Sequence, residues 1–517
     1  MEREIKLEVL HPELWEEILH HPLVDSAAIA PKEMHAIYYD SADGALRAAG
    51  IAYRVRKEGR DWVATVKLAG SVDGGLHQRP EWNQPVRSKK PDLGVFAVDE
   101  ALMTVLAPHL HRALVPVMET VFQRREHEVR HQDARILLAA DWGEIRAAGQ
   151  QRPIHEIELE LVDGELADLL QLASTLCASL PLCPDDASKL ARGSALLGKE
   201  IPVARSKAPT IRGRDNAGDA LGRLLLYSAQ SILGGLAWLQ LDECDALHQL
   251  RKEVRALRAL LRFSKGADPE DRLRGVRNGL AVWFHEQSLQ RDLDALAEHW
   301  QSIAPRFSLP ATPLREALHD ARKTTRDPRV DSRARLAAEL LALWSQVLRN
   351  PPQNKQSLRS YVEERLQRMD EHLLFVEPEQ TAQFHRLRIA LKNLRDTLRH
   401  VSELWPNKDT KAFGRQLHAL LDAAGIIRDA QVAHQDLPQL FHAESRHSAL
   451  GFSAGILLGY LEARRERESK RFGKHWERFR QAPALGIEAK RPTAISAVAE
   501  AFACSLHPPC QQGNFLG

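Results

Sequence analysis

The sequence predicts a multidomain protein in which an α+β region, built on an antiparallel β barrel, precedes an all-α region. Up to about Leu161, short segments alternate charged and apolar residues with a period of two, which is typical of half-buried strands. Beyond residue 218 no strand is predicted, and Leu-, Ala- and Arg-rich segments keep helical spacing to about Arg480. The length of 517 residues also exceeds what one hydrophobic core supports.

Domain boundaries are predicted from changes in composition. Residues 201–215 combine Pro, Gly and charge without periodicity, which favours a linker. We therefore expect a barrel domain at 1–200, a helical domain at 216–480 and a mobile tail at 481–517.

Charge and cysteine content limit the classes of function. Residues 1–200 carry 23 Lys and Arg against 32 Asp and Glu, whereas the remainder carries 48 against 37, so a polyanion is the expected partner of the C-terminal part. The five cysteines form no CxxC pair, which indicates neither a zinc site nor a disulfide framework and fits a reducing cytoplasm. The uncharged run from Leu224 to Leu241 contains Ser, Gln and Gly, and we interpret it as a buried bundle helix.

The barrel strands are expected, in chain order, at IKLEV, HAIYYD, IAYRVR, WVATVKL, VMETVFQ, ARILLAAD and IHEIELEL. Turn signals separate them, for example Asp73-Gly74-Gly75. Two helices follow the last strand, one at 165–180 and a shorter one around Lys189, and we expect both at the periphery of the barrel.

The first and last of these strands each place several charges on one face. They are Glu2, Glu4, Lys6 and Glu8 in the first strand, and Glu156, Glu158 and Glu160 in the last. Carboxylates stacked on one face repel each other and raise one another's pKa unless a cation neutralises them. A divalent metal such as Mg²⁺ would do so, because hard cations take carboxylate oxygens as ligands.

Basic residues alternate in the same way on other segments. They are Arg54, Arg56, Lys67, Arg79, Arg124, Lys189 and Arg192. Taken singly, each charged segment is more often the solvated face of a sheet, but together they favour one lumen with carboxylates on one side and cations on the other. Such a lumen suits a short polyphosphate chelated to metal, because guanidinium groups bind phosphate oxygens and the metal activates water.

Eight short motifs follow one another over residues 1 to about 200. They are Glu2-x-Glu4-x-Lys6, IYYD, YRVR, TVK, GGLHQRPEW, DWGEI, EIELEL and SKLARG. In these motifs and their order the chain resembles the CYTH family, the triphosphate tunnel metalloenzymes. The resemblance implies an eight-stranded antiparallel tunnel barrel, metal-dependent hydrolysis of a triphosphate, and a late helix that presents Lys189 and Arg192 to the tunnel.

The resemblance also implies roles for individual residues. The metal, Mg²⁺ or Mn²⁺, would be held among Glu2, Glu4, Asp141, Glu156, Glu158 and Glu160. The phosphates would be bound by Lys6, Arg54, Arg56, Lys67, Arg79, Arg124, Lys189 and Arg192. The catalytic set would be Glu2, Glu4, Lys6, Glu158 and Glu160. Glu8 is a reserve candidate, because a two-residue shift of strand pairing would keep the same face.

The helical half contains an internal repeat with an offset of 137 residues. His248, Arg251, Arg255 and Arg258 correspond to His385, Arg388, Lys392 and Arg395, and Arg291-Asp292 corresponds to Arg428-Asp429. The repeat predicts a duplicated helical unit with copies at about 216–350 and 353–480. In each copy the four side chains fall within a helical arc of roughly 80°, which forms a basic stripe. A single stripe can be a solvated face, but its duplication favours a ligand surface.

The HxxRxxxRxxR pattern of these stripes resembles the CHAD family over about residues 216–480. The resemblance implies two related four-helix bundles whose basic surfaces bind long-chain polyphosphate without a catalytic role. The second copy has Lys392 where the first has Arg255, which keeps the charge but loses the planar guanidinium.

The tandem order resembles bacterial inorganic triphosphatases in which CYTH precedes CHAD. It implies cleavage of inorganic triphosphate (tripolyphosphate) to pyrophosphate and phosphate, with long polyphosphate bound by the helical domain. A CYTH-type adenylate cyclase, a thiamine triphosphatase and a non-enzymatic polyphosphate-binding protein are the alternatives. A cytoplasmic location is expected, with neither a membrane nor nucleic acid as partner.

Overall fold

The fold was analysed on a computed structural model of the chain. The structure describes residues 1–199, 207–239, 244–309, 312–322, 331–374, 381–441 and 448–481. Apart from Gln481, the predicted tail at 481–517 lies outside the described residues, as does part of the predicted linker.

One antiparallel sheet forms the N-terminal region. Its strands are β1 (Glu2–Val9), β2 (Lys32–Ser41), β3 (Ile51–Glu58), β4 (Asp61–Leu68), β5 (Ser71–Asp73), β6 (Leu76–Arg79), β7 (Glu81–Val86), β8 (Leu114–His131), β9 (Ala134–Ala147), β10 (Gln150–Asp163) and β11 (Leu182–Pro184). They pair in the order β5-β6-β1-β10-β9-β8-β2-β3-β4-β7, and β11 pairs with β1. The prediction of an antiparallel barrel followed by a helical region is confirmed.

The chain itself closes this sheet at Pro80. The residues before Pro80 form β6 and pair with β1, whereas the residues after it form β7 and pair with β4. The switch is tight, because a Cβ added at Gly70 would lie 2.0 Å from the Gln78 carbonyl oxygen. The two edges of the ladder are therefore joined covalently, which leaves a lumen lined by one face of each strand.

The sheet has eleven strands, whereas the resemblance implied eight. Eight of them have six or more residues. The additional strands, β5, β6 and β11, have only three or four residues each. They are too short to show alternation in the sequence, and their pairing is set by tertiary structure.

Five α-helices belong to the barrel region: α1 (Trp15–Leu19), α2 (Ala45–Ala48), α3 (Glu100–Leu106), α4 (Leu166–Ser179) and α5 (Lys189–Leu196). The outer face of β2 to β4 is covered by α3, where Tyr53 packs near Phe96 and Leu102. The inner face of β2, β8 and β9 is covered by Leu190 and Leu196 of α5. Alternation along each strand thus separates an apolar outer layer from a lumen that α5 partly fills.

The later α-helices are α6 (Ala217–Leu233), α7 (Cys244–Phe263), α8 (Arg274–Glu286), α9 (Ser288–Ile303), α10 (Thr312–Arg322), α11 (Ser332–Arg349), α12 (Leu358–Leu374), α13 (Thr381–Val401), α14 (Asn407–Phe441) and α15 (Ser448–Gln481). Short 3-10 helices lie at Pro12–Leu14, Leu93–Phe96, Ala107–His109, Leu236–Trp238, Ser264–Ala267, Ala304–Phe307 and Ser402–Leu404. At the 137-residue offset α6 and α7 correspond to α12 and α13. The single helices α14 and α15 correspond to the divided pairs α8–α9 and α10–α11.

The chain divides into two compact units. The first comprises the described residues within Met1–Pro209, Leu225–Leu239 and Arg326–Pro351. The second comprises those within Thr210–Leu224, Gln240–Thr325 and Pro352–Gly517. Two segments of the predicted helical domain therefore pack with the barrel, and the predicted boundaries stay a prediction.

Helix α11 joins the first unit through contacts with α4. The hydroxyl of Ser174 donates to the carbonyl of Ala338 (2.8 Å), and that of Ser345 donates to the carbonyl of Ala167 (2.7 Å). Both hydroxyls are buried, so the two helices are joined by hydrogen bonds that water does not replace.

Within the described residues, no helix combines the length and apolarity that crossing a membrane requires. In the run at Leu224–Leu241 that we interpreted as a bundle helix, residues 224–233 belong to α6 and residues 236–238 to the 3-10 helix after it, while residues 240 and 241 lie outside the described residues.

Candidate active site

A cavity of about 450 Å³ lies inside the barrel. Eleven of the predicted site residues line it: Glu2, Glu4, Lys6, Arg54, Arg56, Lys67, Arg79, Arg124, Glu158, Glu160 and Lys189. Strand alternation has therefore brought the carboxylates and the basic groups onto the wall of a single lumen. Their individual roles stay predictions.

Three predicted residues, Asp141, Glu156 and Arg192, lie behind this wall and do not line the cavity. Asp141 accepts hydrogen bonds from Arg124 Nε (2.7 Å) and Lys189 Nζ (2.7 Å). Glu156 pairs with both Lys189 and Arg192. These three residues hold the cationic side chains of the wall in position.

The register of β1 and β10 sets two carboxylates directly opposite each other. Glu4 faces Glu160, two positions along the ladder from Lys6 and Glu158, which form an ion pair. Like charges directly opposite on a sheet repel each other. Glu4 lies 3.2 Å from Lys6 and 2.9 Å from Arg79, whereas within the described chain no basic side-chain nitrogen lies within 4.0 Å of Glu160, so Glu160 is the member of the pair that lacks a protein cation.

A second like-charge pair is formed by Glu8 and Glu156 in the same two strands. Here Arg192 bridges the pair: its Nη1 donates to Glu8 Oε2 (3.0 Å) and its Nη2 contacts Glu156. The reserve candidate Glu8 thus belongs to the layer behind the cavity, where a guanidinium already supplies the cation.

Negative charge accumulates around Glu4 and Glu160. Burial and the neighbouring Glu4 charge raise the pKa of Glu2 to about 7, although Lys67 lies 2.8 Å away. Burial and Glu4 raise the pKa of Glu160 as well. Although burial opposes the shift, Lys6, Lys67 and Arg79 lower the pKa of Glu4, and Arg79 donates to it (2.9 Å). The raised pKa values therefore indicate that Glu2 and Glu160 are the carboxylates that the cations present do not balance.

Positive charge accumulates on another part of the wall. Burial, followed by repulsion from Arg54 and Arg124, lowers the pKa of Arg56 to about 10, despite a hydrogen bond to Glu58 (2.6 Å). Arg54 donates to the Tyr38 hydroxyl (3.4 Å), and among the described residues its buried Nε has no partner. Arg124 is paired with Asp141 and Glu158, so the positive charge that the protein leaves unbalanced lies on Arg56, and a bound anion would stabilise it.

Two positions in the barrel have carboxylates suited to a metal. The oxygens of Asp141, Glu156 and Glu158 lie within 4.8 Å of one another, so this buried cluster could hold an ion. Lys189 Nζ already bridges the cluster, however, at 2.7 Å from Asp141 and 3.1 Å from Glu158. Glu160, which has no basic partner within 4.0 Å among the described residues, lines the cavity opposite Glu4, and this pair is the better match to a hard divalent cation.

Helix α5 brings cations into the lumen because of how it begins. The Ser188 hydroxyl accepts a hydrogen bond from the Ala191 amide (3.2 Å) as the N-cap. Lys189 is then the first residue of the helix and Arg192 lies about one turn later, with 6% and 1% of their surfaces exposed. The late helix of the resemblance therefore presents Lys189 to the cavity and Arg192 to the layer behind it.

Several cavity residues were not predicted from the sequence. They include Tyr38, Thr65 and Asn83, of which Thr65 donates to Asn83 (2.7 Å). Thr65 lies two residues before Lys67 on one strand, so period-two alternation could have identified it. Asn83 and Tyr38 are uncharged, and the charge pattern gave no signal for them.

The helical repeat places its eight predicted residues on two helices. His248, Arg251, Arg255 and Arg258 lie on α7, and His385, Arg388, Lys392 and Arg395 lie on α13. The two helices contact each other, and Arg255 Nε lies 2.7 Å from Asp396 Oδ2 across them. The two stripes therefore form one basic surface.

Much of the charge on this surface lacks an acidic partner. Among the described residues, no carboxylate lies within 4.0 Å of Arg251, Arg258, Arg388 or Lys392. Burial, with repulsion from Arg388 and Arg255, lowers the pKa of Lys392 to about 7. Arg251 is held by the Phe284 carbonyl (2.8 Å), so part of the surface is also structural.

Comparisons with known proteins agree with this two-part organisation. The CYTH domain model matches residues 1–194, and the CHAD domain model matches residues 234–438. An inorganic triphosphatase of Haemophilus influenzae is 32% identical over 169 residues, which cover 32% of this chain and 46% of that protein. The chain thus spans about half the length of the curated relative that it matches.

Solved structures that match part of the chain include a putative adenylyl cyclase from Hippeastrum described as having a dominant triphosphatase activity. It is 18% identical, covers 40% of this chain and all of its own, and has a TM-score of 0.29. The CHAD domain from the plant Ricinus communis is 20% identical, covers 54% of this chain and 97% of its own, with a TM-score of 0.44.

Proposed function

We propose that this chain, which carries a CYTH domain at residues 1–194 and a CHAD domain at residues 234–438, is a metal-dependent inorganic triphosphatase. The reaction is hydrolysis of tripolyphosphate to pyrophosphate and phosphate. The observation that carries the proposal is one cavity that holds both incompletely balanced carboxylates, Glu2 and Glu160, and an incompletely balanced guanidinium, Arg56. Either charge alone would be costly to bury, and a metal-chelated phosphate chain neutralises both.

The basic side of the cavity binds and orients the phosphates. Arg54, Arg56 and Arg124 supply donors that match phosphate oxygens, and Lys189 supplies a further positive charge at α5. As water attacks a terminal phosphorus, the bridging P–O bond breaks and charge moves onto the leaving pyrophosphate. Fixed cations stabilise that charge without reorganising, which lowers the barrier.

The acidic side of the cavity holds the metal, through Glu2, Glu4 and Glu160 with Glu158 beside them. Carboxylate oxygens are the ligands that Mg²⁺ and Mn²⁺ take, which is why this donor set fits. When bound, such an ion supplies Lewis-acid polarisation of the phosphoryl group and a water of lowered pKa.

Tripolyphosphate fits this cavity better than a nucleotide or thiamine triphosphate. Two aromatic residues, Tyr38 and Phe122, line it. Tyr38 accepts a hydrogen bond from Arg54, and Lys189 Nζ lies 5.0 Å from the centre of the Phe122 ring. Because both aromatic rings already lie next to cationic side chains, we expect the lining to favour phosphate groups over the organic ring of a nucleotide or of thiamine triphosphate.

The helical region is proposed to bind long-chain polyphosphate on the basic surface of α7 and α13. A polyanion would neutralise the charges of Arg251, Arg388 and Lys392, which described carboxylates do not. Binding would concentrate the protein on polyphosphate without a catalytic contribution from this surface.

Phosphate release from tripolyphosphate, ATP and thiamine triphosphate, with EDTA and with Mg²⁺ or Mn²⁺, tests the enzymatic proposal. We expect metal-dependent turnover of tripolyphosphate and a roughly 10²- to 10³-fold lower kcat/KM in Glu4→Gln/Glu158→Gln. The control Glu128→Gln alters an exposed glutamate paired with Arg135 and should leave turnover unchanged. Absence of turnover with every substrate and metal would reject the proposal and leave a binding protein.

Sedimentation with long-chain polyphosphate tests the proposed binding surface. Arg251→Ala/Arg388→Ala should weaken binding by at least about tenfold. Arg368→Ala/Arg471→Ala removes the same net charge from exposed positions on α12 and α15 and serves as the control. Equal affinity of the two double variants would contradict the assignment.

A further inference from the structure

Trp238 makes a specific contact with the segment that leads into α5. Its Nε1 donates a hydrogen bond to Asp185 Oδ1 (2.8 Å), and its ring lies 4.2 Å from the guanidinium carbon of Arg152. Trp238 falls within the CHAD match, whereas Asp185 falls within the CYTH match. Both residues belong to the first compact unit.

Buried side chains and hydrogen bonds from Arg333 hold the segment that carries Trp238 in place. Leu236 and Ala237 are buried, and Arg333 of α11 donates to the carbonyls of Ala237 (3.1 Å) and Leu239 (3.3 Å). The indole itself is 45% exposed. A half-exposed tryptophan held by its backbone and by one hydrogen bond indicates a role for the N–H group rather than for apolar burial.

Asp185 connects Trp238 to two elements of the active site, β1 and α5. Its amide donates to the Lys6 carbonyl (2.9 Å), and its Oδ1 also accepts from the Ala187 amide (2.9 Å). Ala187 is followed by Ser188, which is the N-cap of α5 and therefore sets the direction of Lys189. Asp185 Oδ1 thus joins Trp238 to the turn that begins α5, and the Asp185 amide joins the same residue to β1.

The hydrogen bond from Trp238 matters because Asp185 is buried. Only 2% of its surface is exposed, and among the described residues its Oδ2 has no hydrogen-bond partner. Oδ1 has two donors, Trp238 and Ala187. Removal of the indole N–H would leave a buried carboxylate with one local donor, which favours a change in the turn that precedes α5.

We infer that Trp238 is a positioning residue through which a segment of the CHAD region holds Lys189 of α5 at the tunnel cavity. The inference rests on the proposed triphosphatase function for its kinetic consequence, since Lys189 then contacts the phosphates. The CYTH region would accordingly depend for full activity on residues that lie outside its own family match.

Trp238→Phe tests the inference, because phenylalanine keeps an aromatic ring near Arg152 and lacks the N–H donor, and the loss of ring size is matched in the control. Trp405→Phe is the matched control: Trp405 also lies near an arginine, Arg359, at 5.6 Å, and its Nε1 has no hydrogen-bond partner among the described residues. We expect kcat/KM for tripolyphosphate to fall roughly fivefold to tenfold in Trp238→Phe and to stay unchanged in Trp405→Phe.

A double-mutant cycle of Trp238 and Lys189 distinguishes a positioning role of Trp238 from a general loss of structure. If Trp238 acts through Lys189, then Trp238→Phe should cause little further loss in a Lys189→Met background. An equal loss in both backgrounds would overturn the inference, as would wild-type kinetics in Trp238→Phe.

Amide hydrogen exchange gives a reading that does not depend on turnover. Trp238→Phe should speed exchange at residues 185–196 and leave residues 136–145 of β9 unchanged. Unchanged exchange at 185–196 would refute the positioning role. Inactivity of the wild type together with faster exchange would reject the triphosphatase proposal and retain the structural contact.

Discussion

Arg56 illustrates how the cavity balances its charges. It donates to Glu58 (2.6 Å), yet burial and the neighbouring Arg54 and Arg124 lower its pKa to about 10. A charged group in this state is stabilised by any anion that enters, and a phosphate oxygen has the geometry that a guanidinium prefers.

Arg56→Ala should therefore weaken substrate binding. A hydrogen bond between charged groups contributes about 1.5–3 kcal/mol, so KM for tripolyphosphate should rise by roughly 10- to 100-fold. Arg146→Ala alters a barrel arginine that is 48% exposed and paired with Glu144, and its KM should match that of the wild type. Equal KM values for the two variants would mean that Arg56 does not contact the phosphates.

Lys392 should make polyphosphate binding depend on pH. Burial, Arg388, Arg255 and Arg395 lower its pKa to about 7, with Asp396 opposing the shift, so above pH 7 the free side chain is largely neutral. A bound polyanion favours the charged form and raises the pKa, so binding above pH 7 must take up a proton. Affinity should fall as pH rises.

Titration of long-chain polyphosphate between pH 6 and pH 8.5 measures this effect. We expect the wild type to lose roughly tenfold in affinity across that range, and Lys392→Arg to lose clearly less because arginine stays charged. Lys470→Arg changes an exposed residue of α15 and should behave as the wild type. Parallel pH profiles for Lys392→Arg and the wild type would contradict the role assigned to Lys392.

At the scale of elements, the passage from β6 to β7 decides whether the sheet encloses a lumen. The strand before Pro80 pairs with β1 and the strand after it pairs with β4, and Gly70 lies against this passage. An added Cβ at Gly70 would lie 2.0 Å from the Gln78 oxygen and 2.9 Å from the Arg79 Cα, both of which are backbone atoms. The backbone would have to move.

Gly70→Ala should consequently destabilise the barrel and displace Arg79. We expect a loss of about 2–3 kcal/mol in the free energy of unfolding, measured by denaturant titration, with a raised KM. Gly275→Ala is the control: Gly275 lies in α8, and among the described residues no atom lies within 4 Å of the added Cβ, so its stability should match that of the wild type. Stability equal to that of Gly275→Ala would show that the closure tolerates a side chain at position 70.

Helix α5 shows what local sequence can and cannot predict about an element. Its N-cap Ser188 and the following basic residues predict a helix start with charges one turn apart. The separation of Lys189 into the cavity and Arg192 into the layer behind it depends on the carboxylates that β1 and β10 place there. Those strands are distant in sequence, so the division of roles was not predicted.

At the scale of the whole molecule, the compact units do not follow the family matches. The predicted break at residue 200 falls within the first unit, which also includes residues at 225–239 and 331–351. α11 contributes Leu340, Leu343 and Trp344 to buried positions, and Ser345 is hydrogen-bonded to α4. The first unit is thus completed by residues far along the chain.

A chain ending at Pro209 should therefore be less stable than its family match suggests. Loss of the α11 contacts exposes apolar surface of α4. We expect this to lower the free energy of unfolding by several kcal/mol and the calorimetric midpoint temperature by roughly 10 °C. A chain ending at Gln481 keeps every described segment and is the control. If the chain ending at Pro209 and the barrel of the control unfold at the same temperature, α11 is not needed for the stability of the barrel.

The sequence by itself determined the barrel-then-helix order, the faces of the charged strands and the duplicated basic stripes. Each of these depends on spacing within a short segment: two residues for Glu2 and Glu4, three or four for Arg251 and Arg255. Tertiary structure alone decided which carboxylates stay uncompensated, that Trp238 reaches Asp185, and that α11 completes the barrel unit. These features depend on contacts between residues far apart in the chain, which periodicity cannot encode.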